Sequence, residues 1–328
     1  MAEELSISVV RAWLETVEAS KEFHYLSMLS GQKPEPKIDA RLRRIFFELA
    51  KHREVKSSGR RDGIYQKTKR VEPIKWWKMD SVTIMDFRFP WGHEDSTAFD
   101  VDEQLDVFPG DLWVIAGRSN YGKTALALNI LGENVDRHKC ILMGSEYSAA
   151  DGKISPKFKR RLDNMKWVKW LNGNGEAKFT LLPVSDNFED YIEPDKINIV
   201  DWINLPGEYY MIDHVMKKIK DRIGNGLGIV VIQKGKGAEY GEGGERTERY
   251  ADLYMTIDSF GQFESLLTIG KVKAPKGRLQ GRAWAFKIVD YGANLHNIRE
   301  VSRCSVCKGK GLAFGDKCKT CEGKGWKE

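Results

Sequence analysis

Cysteine is nearly absent from this 328-residue chain until its end, Cys140 being the only one before residue 304. A disulfide-stapled secreted scaffold is thereby excluded, since such folds distribute cysteines throughout. Long apolar runs are missing as well. No stretch of about twenty residues is apolar enough to span a bilayer. Ala2-Glu3-Glu4-Leu5 offers neither the basic start nor the apolar segment of a secretory leader, so a cytoplasmic location without membrane attachment is expected. A strong excess of one charge is also lacking: the net charge of +6 is modest for this length and does not by itself indicate a polyanionic partner. What remains is a chain with 41% hydrophobic residues, long enough for two or three globular domains.

Residues 117–124 read Gly-Arg-Ser-Asn-Tyr-Gly-Lys-Thr, the pattern G-x-x-x-x-G-K-[ST]. The apolar Leu112-Trp113-Val114-Ile115 precedes it and the helix-forming Ala125-Leu126-Ala127-Leu128-Asn129 follows, which sets the pattern at a strand-to-helix turn. In that context glycines let backbone N–H groups close on phosphates at a helix N-terminus. The expected site for a nucleoside triphosphate comprises Gly117, Arg118, Ser119, Asn120, Tyr121, Gly122, Lys123, Thr124 and Ala125. Lys123 is expected to reach the β- and γ-phosphates, and Thr124 to ligate Mg²⁺. A chance Gly-rich turn is the alternative; both flanks speak against it.

Hydrolysis needs more: an activated water, a second hold on Mg²⁺ and a contact with the γ-phosphate. Each need meets one residue at the C-terminal end of an apolar run. Glu146, after Ile141-Leu142-Met143, is the candidate base; Asp201, after Ile197-Asn198-Ile199-Val200, suits the Mg²⁺ water shell; Gln233, after Ile229-Val230-Val231-Ile232, suits the γ-phosphate. Taken singly, each is an ordinary strand-terminal polar group. Together with the phosphate loop they mark one sheet edge, where open α/β sheets bind ligands.

Helical periodicity runs through residues 5–19 (Val9, Val10, Trp13, Leu14, Val17) and 40–51 (Leu42, Ile45, Phe46, Leu49, Ala50), with a shorter helix expected around Phe23 to Leu29. Asp39 stands where the last helix needs an N-cap, and Arg41, Arg43, Arg44, Lys51 and Arg53 line it. Residues 54–66 alternate and contain Gly59 and Gly63, a hairpin pattern with Arg60 and Arg61 at its tip. Helices followed by such a hairpin resemble a winged helix. A recognition helix and basic wing would grip duplex DNA; the alternative is the same fold making protein contacts with its arginines solvated. We expect this unit over residues 1–70 and a linker, with Trp76 and Trp77, over 71–100.

The other four cysteines form Cys304-x-x-Cys307 and Cys318-x-x-Cys321, each pair followed by equally spaced glycines (Gly309 and Gly311; Gly323 and Gly325). In a reducing compartment this pattern points to one tetrahedral thiolate Zn²⁺ rather than two disulfides. The repeat resembles the cysteine-rich unit of the DnaJ co-chaperones, over the tail alone and without implying chaperone activity. Lys308, Lys310, Lys317, Lys319 and Lys324 make residues 301–328 a basic knuckle, able to touch phosphate or simply solvated. Cys140, at the start of an apolar strand, reads as a buried small residue.

Pro109-Gly110-Asp111-Leu112, Ala116 to Asn129, Ser145-Glu146-Tyr147-Ser148 and Val200-Asp201-Trp202 resemble, in order and spacing, the RecA-like ATPase domain of DnaB-type replicative helicases. The closest overall resemblance is to the helicase-like RecA-fold ATPases of phages and mobile elements. It implies an α/β RecA-like P-loop core over residues 101–300, Mg-ATP hydrolysis at subunit interfaces, a homo-oligomeric ring or filament, and single-stranded DNA at its centre. The family's interfacial finger corresponds to Lys273, a lysine where arginine is expected and therefore without the bidentate contact; Arg278 or Arg282 are substitutes. The resemblance further implies that the loop after Gln233 faces DNA. Lys234, Lys236, Arg246 and Arg249 supply its charge and Tyr240 an aromatic face, against the alternative of a disordered loop balanced by glutamates. Lys153 to Arg161, followed by Trp167 and Trp170, is a second basic run with less positional support. Three functions follow: a DNA translocase or helicase, a nucleotide-gated DNA binder or loader, and a zinc scaffold with a vestigial ATP site. The last is disfavoured by the presence of Lys123, Thr124, Glu146 and Asp201.

Overall fold

The computed structural model describes residues 5–18, 21–30, 34–59, 61–68, 73–78, 81–149, 152–203 and 207–328. They form two compact units, residues 1–81 and 82–328.

In the first unit α1 (Ile7–Thr16) is capped by the Ser6 hydroxyl, which accepts from the Val9 N–H at 3.3 Å. It is followed by β1 (Glu22–His24), a 3₁₀ turn (Tyr25–Leu29), α2 (Pro36–Lys51), β2 (Val55–Ser57) and β3 (Ile64–Lys67). The three strands are antiparallel in the order β1-β3-β2. Val10, Leu14, Leu42, Phe46 and Leu49 recur at helical spacing, and all are buried with Tyr25 and Val55 in one small core. One local expectation is met in part and another fails. The short helix expected around Phe23 to Leu29 is a 3₁₀ helix over Tyr25–Leu29, because residues 22–24 pair with β3 instead. Asp39 does not cap α2: Pro36, whose fixed φ suits the first helical turn, starts the helix earlier. Asp39 instead accepts from the Tyr25 hydroxyl at 2.6 Å and from Arg43 at 3.0 Å.

The second unit contains α3 (Val101–Gln104), β4 (Leu112–Gly117), α4 (Lys123–Asn134), β5 (Cys140–Met143), α5 (Pro156–Asn164), β6 (Phe179–Leu182), β7 (Ile197–Ile203), α6 (Ile212–Arg222) and β8 (Leu227–Gln233). It continues with β9 (Leu253–Phe260), β10 (Glu264–Val272), β11 (Ala283–Val289), β12 (Asn294–Arg303), β13 (Leu312–Ala313), β14 (Asp316–Lys317) and β15 (Trp326–Lys327). Ten strands make one sheet in the order β15-β12-β11-β10-β9-β4-β8-β7-β5-β6. From β9 to β6 neighbours are parallel; from β9 to β15 they are antiparallel. Strand β4 is buried on both faces, as a parallel strand covered by helices must be. Trp113 and Ile115 pack with Leu126, Ile130 and Leu131 of α4, while Leu112, Val114 and Ala116 pack with Met216 and Ile219 of α6. The period-2 alternation of one strand thus builds two cores.

Residues 82–100, read from sequence as linker, lay Phe87, Phe89 and Phe99 into the core; Phe87 meets Trp113 edge-on at 4.8 Å. Trp167 and Trp170 are core-packed too: Trp167 stacks on His93 at 3.9 Å and bonds Asn294, and Trp170 meets the Phe179 ring at 5.3 Å. Cys140 is buried as expected. No described helix is long and apolar enough to cross a membrane.

Candidate functional site

Strands β4, β8, β7 and β5 are consecutive in the sheet, so their C-terminal ends bring the phosphate loop, Gln233, Asp201 and Glu146 to one edge in that order. The loop turns from β4 into α4 through Gly122 at φ +99°, where a Cβ would lie 2.0 Å from the Ile288 side chain. Lys123 is 8% exposed, and burial lowers its pKa against the pull of Asp201 and Glu146. Its ammonium donates to the Arg118 carbonyl and the Gln233 side-chain oxygen, both at 3.0 Å.

Asp201 lies within β7 rather than beyond its end, since β7 runs on to Ile203. It is 3% exposed; Oδ2 accepts from the Tyr147 hydroxyl, and Oδ1 has no hydrogen-bond partner in spite of its burial beside Thr124. Burial raises the Asp201 pKa, opposed by Tyr147 and Thr124. An unpartnered buried carboxylate oxygen next to a threonine hydroxyl at the base of a phosphate loop is a donor set that fits a hydrated Mg²⁺. Gly144 allows the approach of β5, a Cβ there falling 2.0 Å from the Asp201 carbonyl. Glu146 follows, itself exposed, on a 3₁₀ turn that buries Tyr147, its carboxylate 3.5 Å from the Trp202 indole nitrogen.

A cleft of about 560 Å³ opens beside these groups, lined by Thr124, Glu146 and Tyr147 on one side and by Lys157, Phe158 and Arg161 of α5 on the other. Arg161 is held by a 2.9 Å bond from Nε to the Tyr291 carbonyl. Sequence reasoning does not attach Lys157 or Arg161 to this edge; the basic run on α5 is the available signal, but only the fold turns it toward Thr124. No protein-family model matches this sequence, and no curated protein does. Among solved structures, the chain is similar to a KaiC-like protein from the archaeon Pyrococcus horikoshii, with TM-score 0.48 and 16% identity over 67% of this chain and 100% of that one. It is also similar to the RadB recombinase, with TM-score 0.42 and 16% identity over 59% of this chain and 94% of that one. At such distances the chemistry rests on the geometry of this chain.

The other expected residues are dispersed. Lys234 cannot contact DNA as it stands: it is 4% exposed and its ammonium is clamped by both Asp258 oxygens at 2.7 Å. The loop beyond it is tied back to its neighbours. Glu242 N–H bonds the Gln233 carbonyl at 2.7 Å, the Tyr254 hydroxyl accepts from Gly241 at 2.9 Å, and Tyr240 leans on Tyr254. Lys236, Arg246 and Arg249 are exposed, Arg249 being paired with Asp213 at 3.0 Å. Arg61 is exposed; Arg60 lies outside the described residues. Lys273 sits at the opposite sheet edge, where Asp252 engages it at 2.8 Å. Arg282 is committed to Glu300 by two 2.7 Å bonds, whereas Arg278 is exposed and has no side-chain partner among the described residues.

Sγ atoms of Cys304, Cys307, Cys318 and Cys321 all lie within 4.8 Å of one another, with Cys304 to Cys318 at 3.9 Å and Cys307 to Cys321 at 3.5 Å. Thiolates about 2.3 Å from a tetrahedral zinc stand roughly 3.8 Å apart, so this cluster fits Zn²⁺. Backbone N–H groups of Cys307 and Val306 aim at the Cys304 sulfur, the first contributing most to a pKa lowered to about 7. The repeat is a mutual fit: a Cβ on Gly311 would lie 2.4 Å from the Gly323 carbonyl, and one on Gly325 2.4 Å from that of Gly309. Trp326 and Lys327 return to pair with β12, and Trp326 packs on the small core of Phe260, Leu266 and Val301. The knuckle is therefore stitched to the sheet edge through β12.

Proposed function

We propose that this chain is a Mg²⁺-dependent ATPase with a RecA-like core that couples nucleotide state to DNA. The observation that carries the reading is the convergence of Lys123, Thr124, Gln233, Asp201 and Glu146 on one sheet edge. Backbone N–H groups of residues 117–124 and the Lys123 ammonium bind the phosphates. Thr124 directly and Asp201 through water would hold Mg²⁺, which would supply charge neutralisation at the phosphates. Glu146 takes a proton from water as its oxygen attacks the γ-phosphorus; the bond to the β–γ bridging oxygen breaks, leaving ADP and phosphate. Arg161 and Lys157 line the same cleft and offset the charge of the departing phosphate.

Gln233 is the proposed link to DNA. It touches Lys123 through its side chain and Glu242 through its carbonyl, so a γ-phosphate competing for Lys123 moves the start of the 234–249 loop. Lys236 and Arg246 on that loop are proposed to hold single-stranded DNA. The helix–strand–turn–helix–hairpin order of the first unit supports a winged helix, with Arg61 and the basic side of α2 toward duplex. Cytoplasmic action in replication or recombination of a mobile element is the setting, and the assembly is a homo-oligomer. A nucleotide-gated binder or loader is the second reading: Lys273, the finger position, is a lysine held by Asp252, which favours slow turnover. Turnover by the full chain with Mg-ATP, with and without single-stranded DNA, tests the reading. Stimulated hydrolysis supports it and no hydrolysis in either condition refutes it; closed rings with a non-hydrolysable analogue favour the translocase, open filaments the gated binder.

A further inference from the structure

The hairpin β13–β14 within the knuckle carries an aromatic side chain that packs against nothing. Phe314 is fully exposed at φ +55°, and Gly315 follows at φ +90°. Two consecutive left-handed residues closing a two-residue hairpin make a position suited to Asn-Gly or Gly-Gly. A bulky residue there is conformationally disfavoured and gains no burial in return. Ala313 turns toward the sulfurs, while its neighbour Leu312 is 58% exposed directly opposite Lys317. Lys308, Lys310, Lys317 and Lys319 are all exposed and have no ion-pair or hydrogen-bond partner for their ammonium groups among the described residues. Between residues 304 and 328 there are six lysines and three acidic residues, of which Glu328 is already paired with Arg299 at 2.7 Å.

We propose that this knuckle is a second binding site for single-stranded nucleic acid, in which Phe314 stacks on an unpaired base and Lys308, Lys310, Lys317 and Lys319 neutralise the phosphates around it. An exposed aromatic on a knuckle that also carries unpartnered cations matches a polyanion that presents flat π-faces. Duplex hides its bases from such a tip, and acidic side chains alone would satisfy the lysines without covering Phe314, whereas every unpaired nucleotide carries both a phosphate and a π-face. The site extends the nucleic-acid part of the reading above and is independent of ATP hydrolysis.

The test uses the full, zinc-loaded chain, with Lys236→Ala and Arg246→Ala introduced to silence the other proposed single-strand site, and a labelled oligothymidylate followed by anisotropy over a salt series. Phe314→Ala removes no buried contact and should weaken binding by about five- to 150-fold, with recovery in Phe314→Trp. Changing the four lysines to Gln should lower the salt slope by roughly 2.8, at about 0.7 per phosphate contact. Zinc content and DNA-free ATP turnover should stay as in the parent. Binding unchanged in both the Phe314→Ala and the four-lysine variants, or no oligonucleotide binding by the parent, would overturn the proposal, the first result assigning the tip to a protein partner. Absent ATP turnover with these binding losses intact would instead refute the ATPase reading and leave the knuckle site standing.

Discussion

Lys123 donates its ammonium to the side-chain oxygen of Gln233 at 3.0 Å, joining the lysine proposed to bind phosphate to the residue that precedes the loop proposed to hold DNA. Gln233→Ala should therefore leave ATP binding within a few-fold of the parent while abolishing stimulation of turnover by single-stranded DNA. Turnover measured with and without oligonucleotide decides this; stimulation retained in the variant would place the coupling elsewhere.

Burial of the Asp201 carboxyl carries a stability cost. Its folded pKa is raised, chiefly by burial, so the stability that this group contributes is present below the ordinary carboxylate range and is lost as pH rises through the folded value. At neutral pH the charged form is a net cost. Asp201→Asn should raise the melting temperature of the metal-free protein at pH 7, with the gain shrinking toward pH 4, and should lose the stabilisation that Mg²⁺ with nucleotide gives the parent. A melting temperature that falls at pH 7 would contradict the assigned burial cost.

Much of this sheet edge was legible in the sequence, because a glycine-rich strand-to-helix turn and apolar parallel strands impose local patterns: β4, β5, β7, β8 and β9 all lie where their apolar runs are. Charge balance was not legible. Lys234 read as a DNA contact because its partner, Asp258, is brought to it only by the placement of β9 beside β4 in the sheet. Arg161 read as one more cation in a basic run, since nothing local shows that α5 faces Thr124. In the first unit Asp39 was misplaced because two helix-start signals compete within four residues, and Pro36 is the stronger.

Arg161→Ala should lower ATP turnover roughly tenfold or more, an effect of about 1.4 kcal/mol or greater on the barrier, with nucleotide affinity changed little. Because Arg161 also bonds the Tyr291 carbonyl, Arg161→Lys is the control: a lysine that keeps the charge should recover part of the rate. Loss of folding in both variants, seen by melting, would make the residue structural.

Replacing Cys304 and Cys307 by Ser should remove one zinc per chain and unfold the knuckle, which has almost no core without its metal. As Trp326 and Lys327 pair with Arg303 and Ser302, amide exchange should accelerate at the end of β12 while β4 and β8 stay protected. Gly325→Ala, whose Cβ would meet the Gly309 carbonyl at 2.4 Å, should weaken zinc retention against a chelator with every sulfur still present. Intact protein without zinc by metal analysis would refute the assignment of the cluster.

The central claim, that this sheet edge hydrolyses ATP, is tested most directly by steady-state turnover and nucleotide binding of Glu146→Gln beside the parent. The account predicts Mg²⁺-dependent hydrolysis by the parent, ATP affinity preserved in the variant, and a rate lower by roughly a hundredfold or more. Equal rates in variant and parent would contradict it and remove Glu146 as the base.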